Sequence, residues 1–185
     1  MKSLKSNLQE KIILLKLRTG DSDAFAYFYN QYVARIYRFV FMKVSDKDLA
    51  QDMTQEIFLK VWQQMVDKKQ IKSFTAFIFR IARNTVIDHY RQKDNQSLPL
   101  EYIEDISQDQ ASSPDKHLDK HLDLKRLLQN LQNLKDEYKE VLLLRYVEDL
   151  SIDDIAQVIQ KDKNNVRVLI HRALNKLKEL SHENQ

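Results

Sequence analysis

The sequence predicts an all-α protein of two small helical domains, a four-helix unit and a helix-turn-helix unit, joined by a flexible acidic linker. Three observations predict this. First, 185 residues contain one Gly and two Pro, so helix breakers are almost missing. Second, apolar residues recur at helical spacing on both sides of a Ser/Gln/Asp-rich stretch that holds both prolines, Pro99 and Pro114. Third, charge falls into three blocks: residues 1–92 carry 16 Lys/Arg against 9 Asp/Glu, 93–122 carry 3 against 7, and 123–185 carry 11 against 11. The domains are drawn at 1–92 and 122–185, with the linker over 93–121.

Leu8–Arg18 is a short amphipathic helix, and Gly20 after it suits a left-handed stop. Asp21 is the expected N-cap of a helix running to about Val44, dense in aromatics from Phe25 to Phe41. Ser45 with Asp48 reads as a capping box opening a helix over 46–66, with Leu49, Met53, Ile57, Val61 and Met65 every fourth residue. A fourth helix covers about 73–91. In the second domain helices are predicted over about 122–132, 135–147, 152–160 and 164–180. Ser151 with Asp154 is a second capping box, and 161–165 is a short polar turn. Two helices joined by a tight turn, the second one basic, form a helix-turn-helix pattern.

Composition excludes several chemistries. With no Cys there are no disulfides, thiolate metal sites or cysteine nucleophiles. No glycine-rich phosphate loop and no Ser/His/Asp arrangement stands out. His117 and His121 have ligand spacing, but no third ligand is placed beside them, so neither metal nor cofactor is expected. The longest aliphatic runs, Ile12–Leu15 and Val141–Leu144, are too short to span a bilayer. A cytoplasmic protein without membrane insertion, and not an enzyme, is expected.

The charged rows carry the chemistry. Asp48, Asp52 and Glu56, spaced by four, share one helix face, and a carboxylate row repels phosphate. Arg80, Arg83 and Arg91 place cations along the next helix, where they can neutralise phosphates. Asn84 and Asp88, one turn apart, can read base edges. Phe74, Phe77 and Tyr90 lie among them and can stack on unpaired bases; spacing alone leaves open whether Phe74 and Phe77 are core instead. On the last helix Asn164, Val168, His171 and Asn175 point away from Val166 at 100° per residue, flanked by Arg167 and Arg172. Lys163, Asn164, Asn165, Arg167, Val168 and His171 are predicted at a major groove, with Arg172 on the backbone.

Three segments together, "DLAQDMTQEIFLKVW" (48–62), "SFTAFIFRIARNTVIDHYRQK" (73–93) and "EVLLLRYVEDLSIDDIAQVI…NVRVLIHRALNKL" (140–177), resemble the extracytoplasmic-function (ECF) sigma factors of bacterial RNA polymerase. The resemblance covers roughly residues 10–180. It implies an alternative sigma factor that binds core RNA polymerase, through its largest and second-largest subunits, and directs promoter-specific initiation. Asp48, Asp52, Gln55, Glu56, Phe58, Leu59 and Trp62 would dock on the largest subunit's coiled coil. Phe74, Phe77, Arg80, Arg83, Asn84, Asp88, Tyr90 and Arg91 would read and help melt the −10 element of promoter DNA. Lys163, Asn164, Asn165, Arg167, Val168, His171 and Arg172 would read the −35 element. An anti-sigma factor would hold the protein inactive. Family members often carry Gly where Asp149 stands and near Asn164 in the turn, and both residues tolerate left-handed backbone. Leu169 stands where many members have Arg. Two other classes remain open to the sequence: a polymerase-independent helix-turn-helix regulator, and an interaction module without a DNA role.

Overall fold

A computed structural model describes residues 16, 21–66, 71–95 and 133–183. Apart from Lys16, the predicted 8–18 helix, the predicted 122–132 helix, the Gly20 stop, most of the linker, and His117 and His121 lie outside these residues. Among the described residues every element is helical: α1 (Ser22–Val44), α2 (Lys47–Val66), α3 (Phe74–Asn95), α4 (Asp136–Leu142) followed by a π turn (Leu143–Val147), α5 (Ile152–Ile159) and α6 (Lys163–Glu183). No helix among them is long and apolar enough to cross a membrane. The chain divides into two compact units.

The first unit packs α1, α2 and α3 around one apolar core. Asp21 starts α1 as its side chain accepts from the amides of Asp23 at 2.9 Å and Ala24 at 3.2 Å. Phe28, Tyr32, Ile36 and Val40 recur every fourth residue and are buried, with Phe39 beside them. Met53, Ile57, Val61 and Met65 form the buried stripe of α2, and Phe74, Phe77, Ile78, Phe79, Ile81, Ala82 and Val86 that of α3. Each fully buried Phe or Ile contributes about 1.5–3 kcal/mol. The Tyr32 hydroxyl and Thr75 Oγ1, 2.6 Å apart, tie α1 to α3 inside this core.

The α1–α2 corner differs from the predicted capping box. Ser45 is the left-handed stop of α1 (φ 58°), its amide donating to the Phe41 carbonyl at 2.8 Å. The helix cap is Asp46, whose carboxylate accepts from the Leu49 amide at 3.0 Å. One residue in left-handed backbone cannot also cap the next helix, so the cap moves one place on. At its other end α3 runs to Asn95, beyond the predicted stop near 91 and into the expected linker.

In the second unit Val141, Leu142, Leu143, Leu144, Leu150, Ile155, Val166, Leu169, Ile170 and Ala173 form the core. The helix predicted over 135–147 is α-helical only to Leu142 and then widens, the Glu148 amide donating to the Leu143 carbonyl at 3.0 Å. Asp149 follows with φ 51°, and Arg145 Nη1 donates to the Leu150 carbonyl at 2.7 Å, fixing the corner before α5. Ser151 caps α5, accepting from the Asp154 amide at 3.0 Å and donating to its carboxylate at 2.7 Å.

A carboxylate face and two polar helix faces as the candidate functional site

On α2 the stripe of Met53, Ile57, Val61 and Met65 is turned to the core, so by helical geometry the other side meets solvent. Asp48, Asp52, Gln55 and Glu56 are all exposed there, and Leu59 extends the row with 63% of its surface free. Phe58 and Trp62 of the same motif pack against α1. Phe58 is buried, its ring 4.7 Å from Tyr29 and 6.3 Å from Phe25. Trp62 is half-buried against Phe25 at 4.9 Å. Their contribution is to fix the angle between α1 and α2 and so hold the row in place.

On α3 Arg80, Asn84, Asp88 and Arg91 are exposed and fall within an arc of about 80° at 100° per residue. Arg83 is half-buried at the edge of this face. Tyr90 keeps its ring partly free while its hydroxyl donates to the Lys43 carbonyl at 3.0 Å. Phe74 and Phe77 take the core alternative that spacing left open. They are 1% and 6% exposed, and Phe74 lies 4.0 Å from Phe28 and 5.1 Å from Tyr32. Rings buried to this degree are closed to a base, so of the three expected stacking rings only Tyr90 is accessible.

In the second unit the turn between α5 and α6 is shorter than predicted. Gln160, not Asn164, takes the left-handed backbone, with φ 55°, because α6 already begins at Lys163. Asp162 supplies the cap, its carboxylate accepting from the Asn165 amide at 2.9 Å. An Asp one position before a basic helix is an N-cap signal that the sequence reading passed over. Val166, Leu169, Ile170 and Ala173 are buried, while Lys163, Asn164, Asn165, Arg167, Val168, His171 and Arg172 are all exposed. Leu169 is therefore a core residue in this helix.

The exposed residues of α6 are partly held by one another. Lys163 pairs with Asp153 of α5 at 2.8 Å, and Arg167 Nη1 donates to Asn164 Oδ1 at 3.0 Å. Asn165 Nδ2 donates to the Asp162 carboxylate, and His171 Nδ1 lies 3.4 Å from Asn175 Nδ2. An Asn reads adenine with both its carbonyl and its amide, so Asn164 must release Arg167 to do so. Among the described residues no group of three His, Asp or Glu is placed to hold a metal.

A capped helix, a short polar turn and a second helix with a solvent-facing row of amides, cations and one valine define a helix-turn-helix DNA-binding protein. The first unit adds a second polar helix face and a carboxylate row of opposite chemistry.

Comparison with known proteins places it further. The Sigma-70 region 2 family matches residues 28–96, and Sigma-70, region 4 matches residues 124–177. The chain is 29% identical over 167 residues to the ECF RNA polymerase sigma factor BldN of Streptomyces coelicolor, covering 89% of this chain and 63% of that protein. It is 28% identical over 151 residues to the RNA polymerase sigma factor YlaC of Bacillus subtilis, covering 81% and 87%. The structure of CnrH in complex with the cytosolic domain of CnrY has the same fold, with a TM-score of 0.71 at 20% identity over 95% of this chain and 99% of that one. The chain belongs to the ECF family of RNA polymerase sigma factors. It is an alternative sigma factor, a transcription initiation factor that works with core RNA polymerase at promoters.

Proposed function

We propose that the chain divides its work between three surfaces. The face made by Asp48, Asp52, Gln55, Glu56 and Leu59 docks on a cationic surface of the largest polymerase subunit. Phosphate is repelled from that row, so the DNA contacts are assigned to α3 and α6. Arg80, Arg83 and Arg91 neutralise the backbone at the −10 element, Asn84 and Asp88 contact base edges, and Tyr90 stacks on a base that has left the duplex. Lys163, Asn164, Asn165, Arg167, Val168 and His171 enter the major groove at the −35 element, with Arg172 on phosphate.

The segment over 93–121 tethers the two halves, domains 1–92 and 122–185. Each half binds weakly alone, and the tether makes the second contact effectively intramolecular. Six acids between Asp94 and Asp115 keep that segment off DNA and suit it to a basic channel of the polymerase, where the second-largest subunit is met. The protein acts in the cytoplasm, without catalysis or cofactor of its own. An anti-sigma factor holds it inactive by covering the docking and DNA surfaces; CnrH, which shares the fold, was solved in complex with the cytosolic domain of CnrY.

The observation that carries this reading is the exposure of the whole carboxylate row on a helix whose other side is core. Its test is co-purification with core polymerase, comparing the parent with Gln55→Ala/Glu56→Arg, followed by run-off transcription. The double variant should lose the polymerase and the promoter-dependent transcript while keeping its helical content. Undiminished binding would overturn the docking face.

A further inference from the structure

The carboxylates of the docking row are not equivalent. Among the described residues Asp48 and Asp52 make no ion pair, whereas Glu56 is held by Lys60 one turn on, Nζ to Oε1 2.6 Å. The same ammonium donates to Thr85 Oγ1 of α3 at 3.2 Å. Lys60 is therefore tied to α3 through Thr85 while it occupies a carboxylate of its own helix, α2. It lines an open cleft of about 480 Å³ between α2 and α3, together with Asp52, Glu56, Asp88, His89 and Arg91.

A cation arriving from the polymerase meets Asp48 and Asp52 free of ion pairs but has to take Glu56 from Lys60. An ammonium makes a point contact with a carboxylate, whereas a guanidinium makes a bidentate one. A well-placed arginine can displace Lys60, while a loosely placed cation gains little over the pair already present. We propose that Lys60 is a positioning residue for polymerase docking, an internal competitor that keeps Glu56 occupied until a closely fitted cation replaces it. This rests on the docking reading above. It adds a residue that the acidic row does not contain, with an effect opposite in sign to that of its neighbours.

The sign makes the proposal testable. Lys60→Met removes charge and hydrogen bond; Lys60→Gln removes the charge but keeps a donor within reach of Thr85. Each full-length variant is titrated against core polymerase, in the parent and in the Glu56→Gln background. Exposed pairs one helical turn apart are weak, so affinity should rise about two- to threefold with Glu56 present and not at all with Glu56→Gln. Melting temperature should fall slightly in both. A purely structural role for Lys60 predicts weaker binding, and that result, or no change, overturns the proposal. A gain that persists with Glu56→Gln overturns it as well, since it would mark a general charge effect. Should Glu56→Gln alone leave affinity unchanged, the docking role of Glu56 fails first and the competitor role falls with it.

Discussion

The Tyr90 hydroxyl donates to the Lys43 carbonyl at 3.0 Å, across 47 residues of sequence, so the ring at the far end of α3 is hinged on the last turn of α1. That bond leaves 42% of the residue exposed while fixing where the ring stands. Two substitutions separate these contributions. Tyr90→Phe keeps the ring and frees the hinge, and should cost about 0.5–1 kcal/mol of stability with a modest drop in −10 opening. Tyr90→Ala also removes the stacking surface, worth about 1–3 kcal/mol per base, and should cut opening by tenfold or more. Permanganate reactivity of −10 thymines in the assembled polymerase complex measures both. Equal opening by Tyr90→Ala and the parent would remove Tyr90 from the −10 site.

Phe74 makes the contrasting case. It is 1% exposed and enclosed by Phe28 at 4.0 Å, Tyr32 at 5.1 Å and Phe77 at 6.3 Å. Phe74→Ala should cost about 3–5 kcal/mol, the usual loss for emptying a core aromatic site, and should unfold the first unit in much lower denaturant. Phe74→Leu should recover most of this loss and restore transcription. A residue that stacked on DNA would show the reverse: a stable Phe74→Leu variant that fails to open promoters.

Helix faces were legible in the sequence because they depend on spacing. The stripe Met53–Ile57–Val61–Met65, the outward set on α6 and the Asp21 and Ser151 caps all follow from helical period and side-chain chemistry. What escaped depends on partners distant in sequence or on a single backbone angle. Spacing left Phe74 open between core and stacking ring, and it is Phe28 and Tyr32 from another helix that bury it. Lys60 reaches Thr85 across 25 residues. The choice of Gln160 over Asn164 as the left-handed stop turned on where α6 begins, and the Asp162 cap moves that start to Lys163. The Ser45–Asp48 pattern failed because Ser45 was already committed to ending α1.

Gln160 and Asp149 carry left-handed backbone at φ 55° and 51° without being glycine. A side chain in that region strains against its own carbonyl, at about 1–2 kcal/mol per residue, partly offset by the entropy glycine loses on folding. Gln160→Gly should therefore stabilise the second unit by about 0.5–1 kcal/mol, and Gln160→Val should destabilise it because a β-branched chain fits the region worst. Urea midpoints rank the three proteins. The order parent above glycine variant would mean that the Gln160 side chain makes a stabilising contact that outweighs its strain.

The exposed face of α6 yields a prediction in which affinity and specificity come apart. Arg172 flanks that face and is assigned to phosphate, whereas Val168, 46% exposed, is assigned to a thymine methyl and Asn164 to a base edge. Phosphate contacts release counterions and carry no sequence information. Arg172→Ala should weaken binding to all −35 sequences alike and reduce the salt slope of the polymerase–promoter complex by about one. Val168→Ala and Asn164→Ala should leave the slope unchanged and lose about 1–3 kcal/mol of discrimination at one base pair each. Because Arg167 holds Asn164 Oδ1 at 3.0 Å before DNA arrives, Arg167→Ala should loosen binding yet make Asn164 easier to engage, so its loss should be smaller than that of Arg172→Ala. Salt titrations on promoters with single −35 substitutions separate these patterns. If Val168→Ala changed the salt slope, or Arg172→Ala changed the preferred base, the assignment of this face to groove and backbone would be reversed.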